Sequence, residues 1–124
     1  MTSLPRGVVH LELHTRELAR ACEFYGALLG WRSEAVHLPQ GSYHVLDLGG
    51  TTGGGGVVEC RTSRPCWVPY VEVDNVFALT DRARALGGVV LLGPREGPAG
   101  WRSVVAEPGS GEVGLWQPKA AATL

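Results

Sequence analysis

An α+β fold of two tandem βαβββ modules is what this sequence predicts, and three observations carry the prediction. Val8-Val9-His10-Leu11-Glu12-Leu13-His14 alternates apolar and polar residues with the period of two that a half-buried strand requires. Directly after it, Leu18, Ala21, Cys22, Tyr25, Leu28 and Leu29 recur at helical spacing, and Gly30 suits the left-handed conformation that ends a helix. The same grammar returns about 58 residues later, where Leu18…Leu29-Gly30 matches Val76…Leu86-Gly87.

The elements follow in order. The first strand covers about 7–14, and Thr15 is placed to cap the helix that follows it. Arg32 to Leu38 reads as a strand broken by Pro39-Gln40-Gly41, and Tyr43 to Leu48 as another. Gly49 to Gly56 reads as a flexible glycine-rich connection, and Gly56 to Arg61 as a fourth strand. After a polar break, Trp67 to Val73 is a strand and Asn75 to Leu86 a helix with apolar positions at 76, 79, 83 and 86. Val89 to Leu92, Trp101 to Glu107 and Glu112 to Gln117 are three more strands. The chain is thus one domain, 1–124, with module one over about 7–61 and module two over about 67–118.

A lone four-stranded module with one helix leaves its other face bare. Two modules solve this by joining in a curved mixed sheet around a cleft, with the helices outside. Strand parity lines that cleft with His10, Glu12, His14, Val57, Glu59, Arg61, Val68, Tyr70, Glu72, Glu112 and Trp116.

Composition narrows the partners. The net charge is -1, and no Lys/Arg run offers a footprint for nucleic acid. No apolar stretch approaches a membrane span, and Met1 to Arg6 lacks the apolar core of a signal peptide, so the expected location is the cytoplasm. Three cysteines, neither an even set nor a CxxC pair, agree with a reducing compartment.

His10, Glu12 and His14 share one face of the first strand. Alternate residues on a strand lie about 6.5–7 Å apart, so the outer pair is about 13 Å apart, too far for all three to converge on one ion. The expected roles are proton transfer and polar ligand contact. His37 and His44 read as surface or strand-edge residues. Gly53 to Gly56 lack the Lys-Ser/Thr and helix of a phosphate loop.

The ordered set Val8-Val9-His10-Leu11-Glu12-Leu13, Phe24-Tyr25-Gly26-Ala27-Leu28-Leu29-Gly30-Trp31, Tyr70-Val71-Glu72-Val73-Asp74-Asn75-Val76, Leu86-Gly87-Gly88 and Glu107 to Pro118 resembles the vicinal oxygen chelate superfamily, which includes glyoxalase I, bleomycin-resistance proteins and extradiol dioxygenases. The resemblance implies that, in metal-dependent members, the ion is held by one residue from the first and one from the last strand of each module. It places His10, Glu59, Val68 and Gly114 at those positions. Val68 and Gly114 have no donor side chain, so no cofactor is expected beyond a weak divalent metal on His10 and Glu59. The resemblance also implies a homodimer.

The function expected is small-molecule binding, in the form of a metal-independent enzyme of lyase or isomerase type on an aromatic or polyketide-like compound. His10, Glu59 and Glu12 are its expected catalytic groups, and His14, Arg61, Tyr70, Glu72, Trp101 and Trp116 its substrate contacts. Two alternatives are a drug-sequestering resistance protein and a metal-dependent glyoxalase- or dioxygenase-like enzyme.

Overall fold

In a computed structural model the described residues are 5–38, 41–49, 54–62, 64–97 and 99–119. They form eight strands and two helices: β1 (Val8–Thr15), α1 (Leu18–Leu29), β2 (Arg32–Leu38), β3 (Gly41–Asp47), β4 (Gly54–Glu59), β5 (Cys66–Glu72), α2 (Val76–Ala85), β6 (Val89–Glu96), β7 (Gly100–Ala106) and β8 (Glu112–Pro118). The α+β class and the twice-repeated βαβββ order are as the periodicity predicted. The chain divides into two compact units, Val9–Val68 and Pro69–Leu124 with Met1–Val8. The division falls inside β5, later than the polar break at 62–65 on which the sequence placed it.

In the first unit the strands run in the order β2-β3-β4-β1. β1 and β4 are parallel, with His10 opposite Gly54, Glu12 opposite Gly56 and Thr15 opposite Glu59, while β2-β3 and β3-β4 are antiparallel. Leu13, Leu18, Leu46 and Val57 are buried together, with Ala21, Cys22 and Tyr25 of α1 packed on them. Trp31 stacks on Tyr25 with ring centroids 5.5 Å apart, and the Trp67 indole N–H donates to the Tyr25 hydroxyl at 3.1 Å. Leu13 is thus the part of β1's apolar face that α1 covers, whereas Val9 and Leu11 are 36% and 39% exposed.

In the second unit the order is β5-β8-β7-β6, with β5-β8 parallel and the other pairs antiparallel. Val73, Val76, Val105 and Leu115 form its core, with Leu79, Ala83, Val90, Trp101 and Val113 packed against them. β6 continues past Leu92, where the sequence reading ended it, through Gly93-Pro94 to Glu96. It is a sheet-edge strand with register shifts between Val90 and Arg95, and an edge bulge is where a strand tolerates a residue without an N–H donor.

Both helices begin on a side chain from the last strand of their own unit. The Leu18 N–H donates to Glu59 Oε1 at 3.1 Å, and the Val76 N–H donates to Gln117 Oε1 at 2.9 Å. These are the amide hydrogens that a helix cannot satisfy internally, and a carboxylate there also meets the positive end of the helix dipole. The repeat therefore matches Glu59 with Gln117, not with Gly114. The Thr15 hydroxyl accepts from Glu17 N–H at 3.1 Å, so it orders the approach to α1 without capping its first turn, and α2 gains a second cap from Asn75, whose side chain accepts from Ala78 N–H at 3.0 Å. Gly30 ends α1 at φ 73°, as its position predicted.

Under α2 lies a fully buried hydroxyl pair. Thr80 Oγ1 donates to the Val76 carbonyl at 2.6 Å and lies 2.8 Å from Ser103 Oγ. Having given its one hydrogen to Val76, Thr80 must accept from Ser103. Thr80→Val should therefore strand a buried Ser103 hydroxyl and cost about 2 kcal/mol. Ser103→Ala leaves Thr80 bonded to Val76 and should cost less, and the double variant should cost less than the sum of the two; urea unfolding midpoints measure all three. Glu59→Ala should lower stability by about 1 kcal/mol through loss of the α1 cap, with Glu59→Gln keeping most of it, read in the same way.

Candidate functional site

Each unit has a sheet face turned away from its helix, and on the first unit that face carries a polar cluster. Alternation on β1 places His10, Glu12 and His14 there, opposite the Leu13 side. Glu12 is 4% exposed. His14 Nε2 donates to its Oε1 at 2.8 Å, and His10 Nε2 lies 3.4 Å from its Oε2. A carboxylate this buried needs donors on its oxygens, and the two imidazoles supply them. The side chains whose Cα atoms stand too far apart to share an ion instead converge on the carboxylate between them.

A residue that sequence reasoning passed over completes the cluster. Tyr43, on β3, brings its hydroxyl to 3.3 Å from His10 Nε2. It reaches there because β4 is glycine at 56. A Cβ at Gly56 would collide with the Tyr43 hydroxyl, and one at Gly54 would lie 3.4 Å from His10 Nδ1. These glycines, expected in a flexible turn, form the inner strand of the unit, where a missing side chain lets rings from the neighbouring strands lie across the backbone. The legible signal was an unbroken glycine run leading straight into the apolar Val57-Val58 of a strand.

Five expected placements are corrected. Glu59 registers with Thr15, five residues along β1 from His10, a separation of about 17 Å, and on the opposite face. The expected His10–Glu59 acid/base or metal pair is therefore not formed, and Glu59 instead caps α1. Val57 shares that helix side, in the core. The parity was counted one residue out, because the true inward positions, Gly54 and Gly56, have no side chain to show it. Arg61 lies beyond β4, exposed, and outside the sheet. Trp101 packs under α2 against Phe77, ring centroids 5.2 Å apart, on the face opposite Tyr70 and Trp116. His44, read as a surface or strand-edge residue, is half-buried on the inner strand β3 with Nδ1 3.6 Å from the Cys22 thiol.

On the second unit the face away from α2 carries Tyr70, Glu72, Arg102, Gly114 and Trp116. Tyr70 is 2% exposed, so its ring is no open wall; it lies over Gly114, whose Cβ it would exclude, and its hydroxyl accepts from Arg102 Nη1 at 3.3 Å. Glu72 is exposed at the end of β5, in register with half-buried Trp116.

The register also revises the metal positions. By the pairing of first and last strands, the residues equivalent to one another in β4 and β8 are Gly56 and Gly114. With His10 and Val68 they offer one donor among four places, and tyrosines stand over both glycines. This donor set does not fit the ion of metal-dependent members. Among the described residues no group of three or more His, Cys, Asp or Glu side chains is arranged to hold a metal.

No protein-family model matches the chain. Among curated proteins it is 31% identical over 116 residues to a Mycobacterium bovis protein named "Putative glyoxylase CFP32", and equally to its Mycobacterium tuberculosis counterpart. The alignment covers 86% of this chain and 44% of those proteins, so the chain spans less than half the length of the curated relatives it matches. Among solved structures it is similar to the methylmalonyl-CoA epimerase of Mycobacterium tuberculosis, with a TM-score of 0.63 and 16% identity over 92% of this chain and 89% of that one. A variant of the Streptomyces coelicolor methylmalonyl-CoA epimerase bound to 2-nitronate-propionyl-CoA gives a TM-score of 0.65 and 17% identity over 95% and 100%. At such identity the epimerases share the fold. Two βαβββ units, each pairing its first strand with its last, give the chain a glyoxalase-like fold of the vicinal oxygen chelate type, and its sequence is similar to glyoxylase-named proteins.

Proposed function

We propose that the chain binds a small carbonyl compound and moves a proton on it without a metal, with His10 as the acid/base. The observation that supports this is the arrangement of Tyr43, His10, Glu12 and His14 around one buried carboxylate. Glu12, tied to His14, faces His10 Nε2 and stabilises the imidazolium that forms when the ring takes a proton. Tyr43 shares the same nitrogen. The reading assigns the transferred proton to Nδ1, on the Gly54 side of the ring, where the strand has no side chain. Removal of a proton from a carbon beside a carbonyl leaves an enolate, and return of a proton to the opposite face of that carbon inverts its configuration, which is isomerase-type chemistry. The fold-level likeness to epimerases suits that chemistry. The chain's cysteines are thiols, which suits the reducing cytoplasm.

The test is exchange of solvent deuterium into the carbon next to the carbonyl of a thioester probe, methylmalonyl-CoA, followed by NMR. The wild-type chain should catalyse exchange, His10→Ala should reduce it by about 10²-fold or more, and Glu12→Gln should reduce it by about 10-fold or more while the probe still binds. Binding by wild type without exchange would overturn the enzyme reading in favour of a sequestering protein, and unchanged exchange in His10→Ala would remove His10 from it.

The same reading has the chain act as a homodimer. It is supported by apolar side chains left open on α1, with Phe24 and Leu28 59% and 63% exposed, and by the prevalence of symmetric pairs. Sedimentation equilibrium should give twice the monomer mass, and Leu28→Glu should shift it towards one.

A further inference from the structure

We propose that Cys22 is a nucleophilic thiol with His44 as its base, and that the pair forms a covalent adduct with a small, uncharged conjugated carbonyl compound. The pair lies on the face of the first unit opposite the cluster around Glu12, and the proposal does not depend on the proton-transfer reading above.

The two groups come together from different elements. His44 is in register with Val57 of the core and with Ala35 of β2, so it stands on the face that α1 covers, while Tyr43, one residue before it, stands on the other. Cys22 belongs to the side of α1 that packs on Leu13, Leu18, Leu46 and Val57. Its Sγ lies 3.6 Å from His44 Nδ1, which brings nucleophile and base into the contact that such a pair requires. Among the described residues neither side chain has another hydrogen-bond or ionic partner. The imidazole is thus committed to the thiol alone.

The surroundings separate this thiol from one that only fills a core. Both groups are half-buried. Ala19 and Gly26, three residues before Cys22 and four after it, share its helix face, and Ala35 is the neighbour of His44 on β2. Ala19 and Ala35 are exposed, so small side chains stand where large ones would cover the sulfur. The other titratable groups on that sheet face are His37, which is exposed, and Glu59, which accepts from the Leu18 N–H; on α1 the Tyr25 hydroxyl accepts from Trp67. The approach between Ala19, Gly26 and Ala35 is apolar and suits a small reagent without charge.

The chemistry balances without an oxidant, a reductant or a leaving group. In the Nε2–H tautomer, Nδ1 accepts the thiol proton as Sγ attacks the β-carbon of the conjugated carbonyl. The S–C bond forms, the electron pair of the carbon–carbon double bond moves to the α-carbon, and the proton held on Nδ1 is delivered there. The product is a thioether.

Alkylation of the full chain by acrylamide at neutral pH, located by peptide mass spectrometry, tests the proposal. In wild type, Cys22 should react about 5-fold or more faster in the folded chain than in denaturing urea, whereas burial alone would make the folded chain slower. His44→Gln and His44→Ala should each slow Cys22 by about 10-fold or more and leave the rates at Cys60 and Cys66 unchanged. Loss of the ring opens access to the sulfur, so slowing in His44→Ala distinguishes a base from a cover. A folded wild type that reacts at Cys22 no faster than the chain in urea, or a His44→Ala chain that reacts there as fast as wild type, would overturn the proposal. The comparison with urea needs no variant, so it decides the matter if replacing His44 unfolds the unit.

Discussion

A nearly buried carboxylate constrains everything around it, and in this chain that carboxylate is Glu12. Removing a charge from water is tolerable only when donors meet it, and the donors come from its own strand, two residues before and two after. That requirement aligns the imidazoles of His10 and His14 along the sheet. It also makes Gly56 necessary, because the hydroxyl of Tyr43 occupies the space where a β4 side chain would otherwise stand, and sets the ring of His10 against Gly54. The cluster and the glycine strand are two sides of one packing solution.

The second unit solves the same geometry with different chemistry. Tyr70 occupies the position equivalent to Glu12, and its ring lies over Gly114 as the Tyr43 hydroxyl lies over Gly56. The ionic centre of one unit is replaced by an aromatic ring holding an arginine in the other. The helix starts diverged less: a carboxylate caps α1 and a carboxamide caps α2 from matching positions, because both supply the oxygen that the first-turn amides need. Of the four positions that the resemblance and the register give to an ion, one holds His10 and the others valine or glycine, and the tyrosines lie over the two glycines.

Local periodicity determined a great deal by itself. Strand alternation, helical spacing and the left-handed turn at Gly30 depend on residues within a few positions of one another, so the class, the element order and the repeat could be read directly from the chain. The face shared by His10, Glu12 and His14 was legible for the same reason. Tertiary pairing decided the rest. Which residue of β4 faces His10 depends on the register of two strands more than 40 positions apart, and in a glycine strand no side-chain alternation reveals it, so Glu59 and Val57 were assigned to the wrong side. Tyr43 joins the site through a contact 33 residues away in sequence, and His44 meets Cys22 through one 22 residues away. Sequence alone could name the titratable groups; only the folded register could say which of them meet.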